Sequence, residues 1–202
     1  MFKKLTLMAL SVAALVAFAV PAAAQAEGPL ITNSSGEAAE TVEATSSNTI
    51  STTSSGVKLE CTTVNLHLEL PENANTTAKG SGTGTAVGNP GGPTHVGTCR
   101  TSSGLGVDIT AVNVSEIHLT KHSGVTTGTA KFSYTYDLYA GSMLVAECTF
   151  GGSATVKATG TSSLNISGTL TKTGGSASCP TEGTIAGDFA LDDEFGGVAH
   201  ID

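Results

Sequence analysis

Apolar and polar residues alternate one by one along much of this chain, and this period of two constrains its fold more than any other feature. The clearest run is 130–138, where Ala, Phe, Tyr, Tyr and Leu occupy every second position. Successive side chains of a β-strand point to opposite faces of the sheet, so this run predicts a strand with one buried face. No stretch of residues 27–202 has a helical apolar stripe. We therefore predict an all-β fold, an antiparallel β-sandwich or barrel of about 8–11 short strands with two disulfides.

The alternation changes phase inside the longer segments. Leu59 and Cys61 share one face, whereas Val64 and Leu66 share a face only after a shift at residues 62–63. Such a shift predicts a bulge, or a bend at which the strand changes its partner.

Turn-forming residues divide the pattern into strands. The turn at residues 140–142 predicts a hairpin that pairs residues 130–138 with 144–150. Residues 79–94 are rich in Gly and Pro, and they predict a loop with one short strand at 83–87.

The first residues have the organisation of a secretion signal. Lys3 and Lys4 precede an uncharged apolar run, Leu5 to Val20, and small residues follow up to Ala26. The run is shorter than the roughly 20 apolar residues of a membrane-spanning helix, which disfavours an uncleaved anchor. We therefore predict a signal peptide at residues 1–26, cleaved near Ala26, and a secreted, extracellular or periplasmic product.

Charge divides the remaining chain into three parts. Residues 27–55 contain four acidic and no basic residues, residues 182–202 contain six and none, and the residues between them balance seven against seven. We predict a flexible, acidic, Ser/Thr-rich lead-in at 27–55, a single β domain at 56–192, and an acidic C-terminal tail at 193–202. A nucleic-acid partner is disfavoured because no Lys/Arg footprint for phosphates is present. An anionic membrane surface is disfavoured for the same reason.

The four cysteines predict two disulfides, because an even number in an exported chain is typical of a disulfide framework. They are Cys61, Cys99, Cys148 and Cys179, and three pairings are possible. We favour the sequential pairs, Cys61 with Cys99 and Cys148 with Cys179. A four-thiolate metal site is the alternative, but such sites usually contain two close Cys-x-x-Cys pairs.

Fragments of a serine-enzyme motif occur in the chain. Ser55 and Lys58 fit the Ser-x-x-Lys of penicillin-recognising enzymes, Lys172–Gly174 fits their Lys-Thr-Gly, and Ser163–Asn165 fits the middle element without its Asp. The Ser-x-x-Lys element requires a helix, whereas a strand would send Ser55 and Lys58 to opposite faces. We therefore predict no catalytic residues here.

Candidate metal and sugar sites are no better supported. His118 and His122 would lie roughly 13 Å apart on a strand, too far to share an ion. The acidic residues 192–194 lack the spacing of a calcium loop. The aromatic residues of 130–138 could stack on a sugar, but their alternation favours a place in the core. We predict no cofactor-binding or metal-binding residues.

The mature chain resembles exported, β-rich bacterial proteins of actinobacteria that have no assigned activity. The Ser/Thr/Gly-rich alternating strands, residues 56–61 (GVKLEC), Cys179-Pro180 and residues 183–189 (GTIAGDF) carry this resemblance. The resemblance implies no catalytic residue.

We favour a non-enzymatic binding or surface-interaction module, whose partner would be an extracellular protein or a glycan. The first alternative is a secreted hydrolase with a scattered site. The second is a structural or protective extracellular protein, for which rows of Thr at 83–85 and 127–129 are the only sign. Clustered titratable groups in a cleft would favour the hydrolase, a flat Thr array the protective protein, and an exposed apolar patch the binding module.

Overall fold

The alternating segments form antiparallel β-strands, as the sequence predicts. The computed structural model describes residues 28–46, 49–53, 58–61, 63–87 and 99–202. The predicted signal peptide lies outside these residues, which contain strands and no helix. The strands are β1 (Ile31–Thr32), β2 (Thr41–Ser46), β3 (Thr49–Thr53), β4 (Lys58–Cys61), β5 (Thr63–Ala74), β6 (Thr77–Val87), β7 (Cys99–Thr101), β8 (Gly106–His122), β9 (Val125–Ala140), β10 (Met143–Ala158), β11 (Ser163–Gly175), β12 (Glu182–Asp193) and β13 (His200–Ile201).

Eleven of these strands form one sheet that closes on itself. Its order is β11-β10-β9-β8-β6-β5-β2-β12, and β12 also pairs with β11, so eight strands make a complete ring. β3, β4 and β7 extend the ring at one end, where β3 pairs with β12 and β7 pairs with β8. The predicted all-β antiparallel fold is confirmed, in its closed form. Several strands are longer than predicted, up to the 17 residues of β8.

Irregularities allow the long strands to curve around the ring. β8 has register shifts against β9 between Ile109 and Ala111 and between Val114 and Glu116. The phase change predicted at residues 62–63 is also a change of partner, because β4 pairs with β3 and β7 while β5 pairs with β2 and β6. A bulged strand bends and twists more strongly than a regular one, which helps a sheet to close.

Residues 79–87 belong to β6, so the predicted short strand at 83–87 is confirmed and the predicted loop is wrong for residues 79–82. Gly80, Gly82 and Gly84 alternate along β6 and face the ring interior. A Cβ on Gly82 would lie 2.0 Å from the carbonyl oxygen of His67, and one on Gly80 would lie 1.8 Å from that of Glu69. These glycines indicate close approach between strands rather than a loop.

The predicted flexible lead-in at 27–55 is also wrong for its described residues. β2 lies between β5 and β12, and its Val42 and Ala44 are 1% exposed. Glu43 lies between them on the outer face, beside His67 of β5. The alternation was difficult to detect because this strand is short and its inward residues are small.

The predicted acidic tail at 193–202 forms part of the fold as well. β13 pairs with β1 in a separate two-stranded sheet, with Ile31 opposite Ile201. Both isoleucines are buried, as are Leu30 and Ala199. This small sheet therefore covers one end of the ring, and the domain includes residues on both sides of the predicted 56–192 range.

Two turns with the same hydrogen-bond pattern secure this covered end. The side-chain oxygen of Asn33 accepts hydrogen bonds from the backbone N–H of Ser35 and Glu37, each at 3.0 Å. Asp193 Oδ1 accepts from the N–H of Phe195 at 3.0 Å and of Gly197 at 2.7 Å. The Oδ2 of Asp193 accepts from the N–H of Ser34 at 2.9 Å, so the second turn is fastened to the first.

The disulfides pair as the sequence predicts. Cys61 of β4 lies directly opposite Cys99 of β7, and the two are bonded. Cys148 of β10 is bonded to Cys179, which precedes β12. All four cysteines are buried. The first bond fastens β7 to the extended end of the ring, and the second fastens the β11–β12 connection to β10.

The turn that contains Asp193 predicts a specific dependence of stability on pH. Hydrogen bonds lower the pKa of Asp193 from 3.8 to about 2. The largest contribution comes from the hydroxyl of Ser34, followed by the N–H of Ser34 and then by the N–H groups of Gly197 and Phe195. A lowered pKa in the folded state stabilises the protein above the unfolded-state pKa. This stabilisation is lost as the pH falls through about 2. We expect D193N to have a lower free energy of unfolding at neutral pH. We also expect it to lack the decrease in this free energy that the wild type shows as Asp193 is protonated.

The measurement is urea unfolding between about pH 2 and 7, read as the free energy of unfolding. E194Q is the matched control, because Glu194 is the exposed neighbour in the same turn. Equal losses in D193N and E194Q, or unchanged acid dependence in D193N, would contradict the assigned role of Asp193.

Candidate functional site

The ring encloses an apolar cavity of about 50 Å³. Six strands contribute to its wall, and all of the lining side chains are apolar or aromatic, apart from a disulfide-bonded cysteine. They are Leu59, Cys61, Val64, Leu66, Ala86, Ile109, Val112, Phe132, Tyr134, Ile185 and Phe189. The cavity lies in the half of the ring that is extended by β3, β4 and β7, away from the end that β1 and β13 cover.

The position of the cavity follows from side-chain size. Large aliphatic and aromatic side chains such as Leu70, Ile117 and Leu164 are fully buried near the covered end. On the side of the cavity, β6 contributes Ala86 and the side-chain-free Gly84, and β8 carries a bulge after Ile109. Small residues of β6 therefore leave space beside the register shift in β8, and the interior is not filled there.

The rim of the cavity reaches the protein surface. Ile109, Val112 and Ile185 contact the core but are only partly buried. The β9–β10 turn, at the same end of the ring, carries three consecutive exposed apolar side chains, Met143, Leu144 and Val145. Exposed apolar residues at the rim of an apolar cavity are typical of a binding surface.

An aromatic cluster borders the cavity through Tyr134. Tyr134, Tyr136 and Phe150 stack with ring centroids 5.5–6.0 Å apart. Burial raises the pKa of Tyr136 to about 12, with a smaller electrostatic contribution from Tyr134, so the hydroxyl of Tyr136 is neutral at physiological pH. Phe132 and Tyr134 are buried too, which confirms the predicted core position over the sugar-stacking alternative. The wall adjacent to the cavity is rigid and uncharged.

The cavity supports binding rather than acid–base chemistry. Its lining contains no carboxylate, imidazole or amine among the described residues. An unfilled apolar space of this size costs roughly 1 kcal/mol of stability at about 24 cal/mol per Å³. An apolar group that entered the cavity would recover this cost and bury its own surface.

The fragments of the serine-enzyme motif lie apart. Ser55 is outside the described residues, and Ser163 and Lys172 lie on the same strand, β11, roughly 30 Å apart at about 3.3 Å per residue. The Lys172 Nζ donates to the carbonyl oxygen of Ser176 at 2.5 Å. The structure therefore does not bring Ser163 and Lys172, the described members of the motif, into one site.

The candidate metal ligands are separated in the same way. His118 and His122 both lie on the β8 strand, as the sequence indicated. Among the described residues, no group of three or more His, Cys, Asp or Glu could hold a metal ion. In the acidic stretch 192–194, Asp193 accepts backbone hydrogen bonds in its own turn.

Filling the cavity tests whether it is an unoccupied space in the folded protein. A86V adds two methyl groups at the wall, and we expect it to raise the free energy of unfolding by about 1 kcal/mol. A78V is the matched control, since Ala78 is an inward residue of the same strand with 0% exposure and lies outside the cavity. Overpacking should cost A78V about 1–3 kcal/mol.

Urea unfolding of both variants measures these changes. Destabilisation of A86V as large as that of A78V would mean that the space at Ala86 is already filled.

Comparison of the chain with protein-family models, with curated proteins and with solved structures gave no match. The cavity, its rim and the outer surface of the ring are therefore the features that indicate a function.

Proposed function

We propose that this protein is an exported, non-enzymatic binding module that takes up a small apolar group in the cavity of its closed sheet. The observation that carries this proposal is the apolar lining together with a rim that reaches the surface at Ile109 and Ile185. Binding sites for small molecules are concave and mostly apolar, and they are usually formed before the ligand arrives.

The size of the cavity limits the ligand. An engineered cavity of about 150 Å³ holds benzene, so a space of about 50 Å³ accepts only a few carbon atoms. The ligand that fits best is the end of an alkyl chain, or a small apolar substituent, with the rest of the molecule outside the rim. The exposed Met143, Leu144 and Val145 lie at the same end of the ring and offer apolar surface to that part.

Function outside the cytoplasm is supported by the disulfides. Two buried disulfides fasten the end of the ring that contains the cavity, and such bonds persist in oxidising compartments. The described residues contain no helix long and apolar enough to cross a membrane. Together with the predicted signal peptide, these features support an exported protein.

A series of straight-chain alcohols tests the proposed ligand class. The hydroxyl group remains in water while the chain enters the cavity, and each buried methylene contributes about 0.8 kcal/mol. We expect affinity to increase about fourfold per methylene over the first few carbons, and then to level off when the cavity is full. Titrations followed by NMR of the side-chain methyl groups of Leu66, Val112 and Ile185 measure both the affinity and the location.

A86V serves as the control in this titration, because it fills the cavity without changing the rim. In A86V, we expect the affinity for the alcohols not to change with chain length. Equal affinity for short and long alcohols in the wild type, or unchanged binding in A86V, would contradict the proposal.

Export is tested by the mass of the protein recovered from the culture medium of an expressing bacterial host. We expect a chain that begins at Glu27 and gains about 4 Da on reduction of its two disulfides. A secreted product that retains residues 1–26 would contradict cleavage, and a protein found only in the cytoplasm would contradict export.

A further inference from the structure

We propose that a groove on the outer surface of the ring binds one sugar residue of a neutral oligosaccharide. The groove has a volume of about 320 Å³ and lies across β5, β6 and β8. Its polar side chains are His67, Glu69, Ser81, Thr83, Asn113 and Ser115. This volume is at the lower end of the range for small-molecule sites, roughly 300–1,000 Å³. The groove is separate from the interior cavity and independent of its proposed ligand.

The floor of the groove is fixed by close approach of the backbone. Gly82 lines the groove with its backbone, and a Cβ there, directed into the ring, would lie 2.0 Å from the carbonyl oxygen of His67 and 3.0 Å from the Cα of Leu68. No other residue fits at this position without movement of a strand. β6 and β8 also change register beside it, between Gly80 and Gly82. The close approach of β5 and β6 beneath the groove is therefore part of the fold, and the polar side chains form the sides of the groove.

The side chains around the floor match the hydrogen-bonding groups of a sugar. The hydroxyls of Ser81, Thr83 and Ser115 can each donate and accept, and the amide of Asn113 offers two donors and one acceptor oxygen. Sugar hydroxyls also donate and accept, so they can pair with each of these groups. Glu69 adds acceptors on one side of the groove.

The charges of the groove disfavour an ionic ligand. The groove contains one carboxylate, Glu69, and one imidazole, His67, whose Nδ1 lies 2.5 Å from Glu43 Oε1. An anion such as phosphate would need Arg, Lys or several backbone N–H donors. A metal cation would need further ligands, and none of the described residues form such a group. A neutral, polyhydroxylated molecule is the class that remains.

The groove continues into an uncharged row across the sheet. Thr83, Asn113, Ser133, Gly151 and Thr171 are successive cross-strand partners on β6, β8, β9, β10 and β11. All five are at least partly exposed. With neighbouring strands about 4.8 Å apart, the row is roughly 19 Å long. It gives the further sugars of a chain an uncharged surface that leads away from the groove, which is why we propose an oligosaccharide rather than a single sugar.

The test is a titration of the ¹⁵N-labelled full-length mature protein with malto- and cello-oligosaccharides of one to five sugars. Such exposed hydrogen bonds compete with water, so we expect dissociation constants in the millimolar range, corresponding to about −4 kcal/mol for one sugar. We expect chemical-shift changes at the amides of Ser81, Thr83 and Asn113 first. With longer chains these changes should extend to Ser133 and Thr171, and the affinity should increase.

N113A and T83A should each weaken binding roughly two- to tenfold, the effect of losing one or two exposed hydrogen bonds. T155A is the matched control, since Thr155 is an exposed threonine of β10 outside the groove and the row. Both Thr83 and Asn113 are exposed, so their substitution leaves the core intact, which the amide spectrum of each variant verifies.

Three outcomes would overturn the proposal. One is the absence of shifts in the groove with every oligosaccharide at about 50 mM, well above the expected dissociation constants. The second is an equal loss of affinity in T155A, N113A and T83A. The third is stronger binding of inorganic phosphate or Ca²⁺ at the same amides. None of these outcomes bears on the interior cavity, which the alcohols and A86V test separately.

Discussion

The pairing of β12 with β11 on one side and with β2 and β3 on the other is the interaction on which the rest of the structure depends. It closes the sheet, so that no long strand is left with an open edge of unpaired backbone groups. Closure also creates an inside and an outside. The buried residues of the described strands then form one core. The cavity lies inside this closed wall and reaches the surface at the rim formed by Ile109 and Ile185.

Closure places demands on particular residues. The strands must bend and approach one another closely, which requires glycine at Gly80 and Gly82 of β6 and bulges in β8. At the covered end, the backbone N–H and C=O groups of the two short strands β1 and β13 need hydrogen-bond partners. Asn73 does this for β1, where its side chain accepts from the N–H of Ile31 at 3.0 Å and donates to the carbonyl oxygen of Ile31 at 2.6 Å. Asp193 has the corresponding role in the turn before β13.

The two proposed sites use the two sides of the same wall. β6 contributes Ala86 to the interior cavity and Ser81 and Thr83 to the outer groove. One strand can line both sites because its side chains alternate between the two faces of the sheet. Its glycines have no side chain and therefore leave space beside both sites. The Thr pairs at 83–85 and 127–129 lie on strands separated by β8, where their neighbours include Asn113 and His118. They therefore belong to different parts of the surface and do not form one Thr array.

The sequence by itself determined the fold class, the strands with strong alternation and the presence of two disulfides, whose pairing only the structure established. A side-chain period of two and the placement of Cys61 and Cys148 on apolar faces are local properties, which can be read without knowledge of the partner strands. The strand status of 41–46 and 79–82 was missed, because strand segments with small residues gain their stability from pairing with neighbours rather than from their own composition. Tertiary structure alone decided that the sheet closes, that Asp193 is a buried acceptor, and where the cavity and the groove lie. Each of these features joins residues distant in sequence, such as Leu59 with Phe189 and His67 with Asn113, and their positions depend on register and curvature that no local pattern contains.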